Sequence, residues 1–192
     1  MQKLLIVLAC LALLPMPRAL AQGRICPDDG EFEPASETLR TVELPDFGIA
    51  VAIPSNYRTM KRQDGSISIL HPDDFALLQC VAQGGYGARG YYHESIQLVS
   101  PDPAMSLRDQ AIWSVGYQFD AAGRRIPAYS QIRAYNHNGI SGYLVESISG
   151  YGVTFLGTYP GSNQLLEVSA ACDCPVEMQD VETLLSHLTV LD

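Results

Sequence analysis

The chain has 192 residues, with 21 Asp and Glu against 12 Lys and Arg and a formal net charge of −9. This acidic balance argues against nucleic acid as a partner, because binding to phosphates depends on lysine and arginine. The length is that of one domain, and it is sufficient to bury a substantial apolar core.

Residues 1–21 are typical of a secretory signal peptide. Lys3 precedes an apolar run from Leu4 to Leu14, and Ala19-Leu20-Ala21 forms an A-x-A cleavage site, so the mature chain is expected to begin at Gln22. The apolar run is too short to span a bilayer, which takes about 20 residues, so no transmembrane segment is expected in the mature chain. The predicted location is the periplasm, a compartment like the thylakoid lumen, or the exterior of the cell.

Residues 22–41 are predicted to form an acidic arm, followed by a single domain over residues 42–192. Seven acidic residues lie between Asp28 and Asp46. Such a run is more typical of a solvated segment than of a metal site.

Alternation of apolar and polar residues predicts strands over much of the domain. Turn residues such as Asp64-Gly65 and Asn138-Gly139 separate them. The predicted strands are residues 47–53, 66–70, 75–83, 91–99, 125–135, 140–149, 153–159 and 164–172.

Two segments have helical spacing instead. Residues 102–119 place apolar side chains at intervals of three and four, and Ser106 is positioned to cap the start. A second helix is predicted after Pro175, with Val181, Leu184, Leu185 and Leu188 on one face. The predicted fold class is therefore α+β, an antiparallel sheet of about seven strands with an inserted helix and a C-terminal helix packed on it.

This order of elements resembles that of PsbP-like proteins, the extrinsic photosystem II subunit and its relatives. The features that carry the resemblance are residues 47–53 running into Pro54 and Tyr57, Asp64-Gly65 before a strand, the helix entry at Ser106-Leu107, Asn138-Gly139-Ile140 before Tyr143, and the closing helix over residues 181–188. The resemblance implies a domain that docks on a larger assembly, usually without chemistry of its own. Cys172-Asp173-Cys174 departs from the pattern of that family.

The stretch Gly85-Tyr86-Gly87-Ala88-Arg89-Gly90 matches the G-x-G-x-x-G pattern of dinucleotide-binding loops. That function needs a helix immediately after the glycines, whereas the alternation of residues 91–99 predicts a strand. The glycines are therefore interpreted as a mobile hairpin loop, and no cofactor is expected. Tyr86, Arg89, Tyr91 and Tyr92 are candidate recognition residues on this loop.

Four cysteines remain after the signal peptide: Cys26, Cys80, Cys172 and Cys174. In an oxidising compartment they favour disulfides over zinc, and four cysteines allow three connectivities. Residues 75–83 and 164–172 are both predicted strands whose cysteines face the core. At least one of Cys172 and Cys174 is therefore expected to pair with Cys80 or Cys26.

Other polar groups do not predict a catalytic or metal site. His71, Asp73 and Asp74 are separated from His93 and Glu94 by the predicted strand over residues 75–83, a distance of about 25 Å. Gly139-Ile140-Ser141-Gly142 lacks the spacing of a nucleophile elbow.

The sequence therefore predicts a non-enzymatic binding or assembly module with a protein partner outside the cytoplasm, such as a membrane-associated assembly. The alternative is a small exported enzyme or a thiol-redox protein that uses Cys172 and Cys174.

Overall fold

The computed structural model describes residues 24–26, 33–87 and 92–191. The strands are β1 (Leu39–Leu44), β2 (Ile49–Pro54), β3 (Arg58–Lys61), β4 (Ile67–Leu70), β5 (His93–Val99), β6 (Tyr117–Phe119), β7 (Arg125–Pro127), β8 (Tyr129–His137), β9 (Ile140–Ser147), β10 (Gly152–Thr158), β11 (Leu165–Ala171) and β12 (Leu188–Val190). The α-helices are α1 (Pro72–Ala82), α2 (Leu107–Ser114) and α3 (Met178–Ser186). The predicted signal peptide over residues 1–21 and residues 22–23 and 27–32 of the predicted acidic arm lie outside the described residues.

A seven-stranded antiparallel sheet with the order β3-β4-β5-β11-β10-β9-β8 forms the centre of the fold. Ile67, Ile96, Val168, Phe155 and Leu144 lie opposite one another on five successive strands and form one buried row. The predicted α+β class, with about seven antiparallel strands, is confirmed.

A second sheet of three strands, in the order β1-β2-β12, covers this apolar row together with α3. Ile49, Val51 and Ile53 come from β2, and Val181 and Leu185 come from α3. The i, i+4 spacing in α3 aligns its apolar side chains on one face. The three-stranded sheet was not predicted, since only its central strand has a clear alternation.

The opposite face of the large sheet is covered in part by α2. Ala111 on this helix packs with Val145, Leu156 and Leu165 of the sheet in a separate, smaller cluster. Ser106 caps α2 by accepting a hydrogen bond from the backbone N–H of Asp109, as predicted. The two faces therefore carry two independent sets of packing contacts.

The predicted strand over residues 75–83 is wrong, because this segment is helix α1. Pro72 occupies the first turn, where its missing N–H is tolerated, and Asp73 and Asp74 lie near the positive end of the helix dipole. His71 acts as the N-cap by accepting a hydrogen bond from the Asp73 N–H. The residues interpreted as a turn between strands are thus the start of a helix.

The predicted helix over residues 102–119 is also too long. The helix ends at Ser114, and residues 117–119 form β6, which pairs with β7 in a separate two-stranded sheet. Gly116, with φ of +96°, separates the two elements. A left-handed backbone conformation at this glycine ends the helical path.

All four candidate cysteines form disulfides, but the predicted pairing is wrong. Cys26 bonds to Cys80 over a separation of 54 residues, whereas Cys172 bonds to Cys174. Cys80 lies in α1 and not on a strand facing the core, so it meets the N-terminal segment instead of β11. Cys172 follows the end of β11, where the chain turns toward α3.

The two disulfides should differ in their contribution to stability. In the chain-entropy model, a bond that closes a loop of this size stabilises the fold by about 4 kcal/mol, and a bond across one intervening residue by far less. We expect Cys26→Ser/Cys80→Ser to lower the free energy of unfolding by about 2 to 4 kcal/mol in urea titrations. The matched variant Cys172→Ser/Cys174→Ser should lose less than half as much, and equal losses would contradict the assigned pairing.

Candidate functional site

A small cleft lies where the three-stranded sheet, α3 and β5 meet. Its cavity volume is about 190 Å³. The lining residues are Leu39, Ala52, Ile53, Pro54, Tyr57, Glu94, Thr183, Leu184 and His187. We call this the Glu94 cleft, because Glu94 is its only carboxylate among the described residues.

Glu94 occupies a position of β5 that belongs to the apolar face of the large sheet. It alternates with Ile96 and Leu98, which both pack into the main core. Its neighbours across the strands are Ile69 on β4 and Ala170 on β11, both buried. A carboxyl group is thus placed within an apolar row, and it keeps some exposure because it lines the cleft.

Burial raises the pKa of the Glu94 carboxyl to about 7. Desolvation disfavours the charged form, and the negative charge of Asp180 on α3 acts in the same direction. The Tyr92 hydroxyl opposes this by donating a hydrogen bond of 3.3 Å to Glu94 Oε1. Glu94 therefore changes its charge near neutral pH.

Two tyrosines surround this carboxyl group. Burial, together with the charges of Glu94 and Asp74, raises the pKa of Tyr57. The Tyr57 ring meets the His71 ring edge-on, with centroids 5.5 Å apart. Burial and the charge of Glu94 also raise the pKa of Tyr92. Both phenols remain neutral donors when the cleft titrates.

The predicted separation of His71 from Glu94 is wrong. Because residues 72–82 are helical, the chain returns to the sheet, and Leu70 lies directly opposite His93 in the β4–β5 pair. The His71 ring contacts the Tyr57 ring, and the charge of Glu94 raises the pKa of the same tyrosine, so both residues lie near Tyr57. Within the described residues, however, no group of three or more His, Cys, Asp or Glu side chains is placed to hold a metal ion.

The interpretation of the glycines as a hairpin loop between two strands is wrong, because they lie between helix α1 and strand β5. A Cβ atom at Gly85 would lie 2.6 Å from both Cys26 Sγ and Cys80 Sγ. A Cβ atom at Gly87 would lie 2.6 Å from Leu77 Cδ1. Gly85 and Gly87 are needed because the chain packs closely over the disulfide and α1 at these positions. The next described element is strand β5, and not the helix that a dinucleotide-binding loop requires.

The four recognition candidates have different positions. Tyr86 is 55% exposed, and its backbone pairs in parallel with Ile25, which holds the loop beside the N-terminal segment. Tyr92 is partly buried against the core and donates its hydroxyl proton to Glu94, so it does not belong to an exposed surface. Arg89 and Tyr91 lie outside the described residues. A recognition role for this loop stays a prediction that concerns Tyr86 first.

A feature that the sequence did not predict is the hairpin of β6 and β7, which we call the aromatic ribbon. Phe119 and Tyr117 on β6 are 63% and 48% exposed, and Ile126 on β7 is also exposed. The rings of Tyr117 and Phe119 meet edge-on, with centroids 5.6 Å apart. The Arg125 guanidinium lies 4.4 Å from the centre of the Tyr117 ring. The alternation of Tyr117 and Phe119 was obscured because Phe119 also fits the spacing of the preceding helix.

The Cys172–Cys174 disulfide lies at the surface between β11 and α3. Cys174 is exposed, whereas Cys172 is half-buried against the main core. The backbone N–H of Cys172 donates to the carbonyl of Tyr151, and the Cys172 Sγ lies 3.5 Å from a carboxylate oxygen of Asp173. This bond is therefore accessible on one side only.

The chain matches no protein-family model and no curated protein. A similar solved structure is a crystal structure of a protein from Bacteroides thetaiotaomicron VPI-5482, with 14% sequence identity and a TM-score of 0.36. The likeness covers 80% of this chain and 48% of that protein, so the chain spans about half of its length. So distant a likeness carries no argument about the function.

None of the helices in residues 24–26, 33–87 and 92–191 is long and apolar enough to cross a membrane.

The Glu94 carboxyl should make the stability depend on pH. Its pKa is raised from 4.5 to about 7. Its contribution to the free energy of unfolding is therefore fully present below about pH 4.5 and is lost as the pH rises through 7. Glu94→Gln cannot ionise, so its free energy of unfolding should exceed that of the unmodified protein above pH 7, by an amount on the order of 2 kcal/mol.

Urea titrations between pH 5 and pH 8 would measure this difference. Glu43→Gln, at an exposed position of β1, is the matched control and should leave the pH profile unchanged. Parallel profiles for Glu94→Gln and the unmodified protein would show that Glu94 is ionised normally in the folded state.

Proposed function

We propose that this chain is an exported, non-enzymatic binding module that docks on a protein partner through the aromatic ribbon. The observation that carries the proposal is the exposure of Tyr117 and Phe119 on one face of a short hairpin. Large aromatic side chains on a surface are typical of the residues that dominate binding energy in protein interfaces. The resemblance to PsbP-like proteins implies the same kind of role.

The ribbon is ordered before it meets a partner. Asp120 accepts hydrogen bonds from the backbone N–H groups of Ala122 and Arg124 and forms a 2.8 Å ion pair with the Arg124 guanidinium, which closes the turn. The rings of Tyr117 and Phe119 contact each other, and Arg125 stacks on Tyr117. Little conformational entropy is then lost on binding, which favours affinity.

The charge of the ribbon indicates the chemistry of the partner. The chain as a whole is acidic, yet Arg124 and Arg125 are adjacent on the ribbon and both are exposed. A guanidinium stacked on an aromatic ring can still donate hydrogen bonds from its edge to a carboxylate. The expected partner is a protein surface with apolar side chains bordered by aspartate or glutamate.

The two disulfides support a location outside the cytoplasm, because disulfides persist mainly in oxidising compartments. Docking there agrees with the signal peptide expected over residues 1–21. The partner would then be another exported protein or the exposed part of a membrane-associated assembly.

The proposal predicts a partner whose capture depends on the ribbon. The immobilised protein is incubated with the exported fraction of its source organism, and captured proteins are quantified by mass spectrometry. Tyr117→Ser/Phe119→Ser should reduce the recovery of the partner about tenfold or more, because both rings are removed from the contact. Added salt should weaken recovery as well, because it screens exposed arginine–carboxylate pairs.

Ile25→Ser/Val81→Ser is the matched control, since these apolar side chains are 70% and 44% exposed and lie on the N-terminal segment and α1 instead of the ribbon. It should leave recovery unchanged, and Tyr86→Ala tests the glycine-rich loop separately. The proposal fails if no captured protein depends on the ribbon. It also fails if light scattering shows a homodimer that the ribbon variant dissociates, because the ribbon would then bind a second copy.

A thiol-redox role for Cys172 and Cys174 is the second candidate, favoured by the exposure of Cys174. Attack of a thiolate on this bond would release one cysteine thiol, and resolution by a second substrate thiol would leave two cysteine thiols and an oxidised substrate. A glutathione buffer should then reduce this bond while Cys26–Cys80 stays intact. Equal resistance of the two bonds would remove this candidate.

A further inference from the structure

We propose that the Glu94 cleft binds the ammonium group of a small primary amine, with the Glu94 carboxylate as its counter-charge. The site is separate from the aromatic ribbon and does not rest on the docking function.

The cleft offers acceptors for an ammonium group and an apolar wall for a short alkyl chain. Glu94, Thr183 and His187 contribute oxygen or nitrogen atoms, whereas Leu39, Ile53, Pro54 and Leu184 are apolar. The volume of about 190 Å³ suits a ligand of a few heavy atoms better than a nucleotide or a sugar chain. Tyr57 adds an aromatic ring, a group that attracts ammonium ions when they approach its face.

The charges around the cleft also favour a cation. No lysine or arginine is among the described residues that line the cleft. The charge of Asp180 on α3 raises the pKa of Glu94. The charge of Asp74 on α1 raises the pKa of the adjacent Tyr57. Arg40 lies nearby on β1, where it donates to the backbone carbonyl of Tyr57 at 2.9 Å. Because the Arg40 guanidinium donates to that carbonyl and does not line the cleft, an incoming cation would meet the Glu94 carboxylate and the neutral Tyr57 phenol.

The chemistry of the lining distinguishes an amine from other ligands. An anion would be repelled by Glu94 and Asp180. Magnesium and calcium need several oxygen ligands, and the described residues provide no group of three metal-ligating side chains. One carboxylate beside an apolar wall instead matches one ammonium group on a short alkyl chain, since the pair can form charge-assisted hydrogen bonds.

Binding would be linked to the ionisation of Glu94. The carboxyl is half-protonated near pH 7, so an ammonium ligand must displace its proton to the solvent at lower pH. A group with this pKa is about ten-elevenths ionised at pH 8 and about one-eleventh ionised at pH 6, so affinity should fall about tenfold between these values. The tyrosines stay neutral over this range, and His187 is the remaining titratable side chain that lines the cleft. His187→Gln therefore serves as a control for its contribution to the pH dependence.

The test uses n-butylammonium as the probe, with two-dimensional NMR of the full mature chain at pH 8. We expect saturable shifts at the amides of Glu94, Thr183 and Leu184 and an affinity about tenfold weaker at pH 6. The neutral n-butanol, of similar size and shape, should give no saturable shifts. In calorimetry at pH 6.5, binding should release protons to the buffer.

Three variants complete the test. Glu94→Gln should abolish binding, whereas Glu167→Gln should retain it, because Glu167 is a partly buried carboxyl that accepts from Gln97 away from the cleft. Thr183→Lys, at an exposed position of α3, should weaken the affinity at least fivefold by placing an ammonium group of the protein itself beside Glu94. This variant gives an answer even if Glu94→Gln does not fold.

The proposal is overturned if n-butylammonium gives no saturable shifts at pH 8. It is also overturned if n-butanol binds equally well, if Glu94→Gln retains the affinity, or if the affinity does not change between pH 8 and pH 6 in both the unmodified protein and His187→Gln.

Discussion

The apolar face of the seven-stranded sheet must be covered, and the arrangement of the other elements follows from that constraint. The row from Ile67 through Ile96 and Val168 to Phe155 has no polar atoms in its side chains. Burial of such a row is the main favourable term in folding, at about 25 cal/mol per Å² of apolar surface. The three-stranded sheet and α3 provide the cover. Tyr159 links the two layers by donating its hydroxyl proton to the carbonyl of Phe47 over 2.7 Å.

The Glu94 cleft is the place where this cover is incomplete. One row further along the same face, the residues are Ile69, Glu94, Ala170 and Val153. A carboxyl group here would lose its hydration if it were fully enclosed. The cleft leaves it partly accessible to water, and the Tyr92 hydroxyl donates a hydrogen bond to it. The site therefore arises from one polar residue at the boundary of an apolar layer, and not from a motif.

The aromatic ribbon depends on the other face of the sheet. The ribbon follows α2, a helix that buries Ala111 and Ile112. It is followed directly by the edge strand β8. At the base of the ribbon, the Ala128 N–H donates to the Gly116 carbonyl, and the Ile148 N–H donates to the Ala128 carbonyl. Because the ribbon and the cleft share no described residue, changes at one surface can be tested without altering the other.

The sequence predicts the parts of the fold that have one strong period. β9, β10 and β11 are apolar runs bounded by turn residues, and the apolar stripe of α3 repeats at three and four, so local pattern and final structure agree. The segment from Phe75 to Ala82 has no clear period, and its helical start signals at Pro72, Asp73 and Asp74 are equally typical of a turn. That one error also produced the wrong disulfide pairing and the wrong separation of His71 from Glu94.

The candidate site could be predicted only in part, for a different reason. Glu94 alternates with Ile96 and Leu98, which is a visible signal, but the importance of that position depends on α3 and β2, which are distant in the sequence. The ribbon was hidden because Phe119 fits both a helical and a strand period. Contacts between distant segments, unlike local periods, are not specified by any single stretch of sequence.

The most direct test is a carbon-13 NMR titration of the Glu94 side-chain carboxyl, assigned by its absence in Glu94→Gln. The placement of this group within an apolar row predicts a midpoint near pH 7. Tyr92→Phe should move the midpoint higher, because the hydrogen bond that stabilises the charged form is lost. A midpoint near 4.5, the ordinary value for glutamate, would contradict the account, because the carboxyl would then be as well solvated as in an unfolded chain.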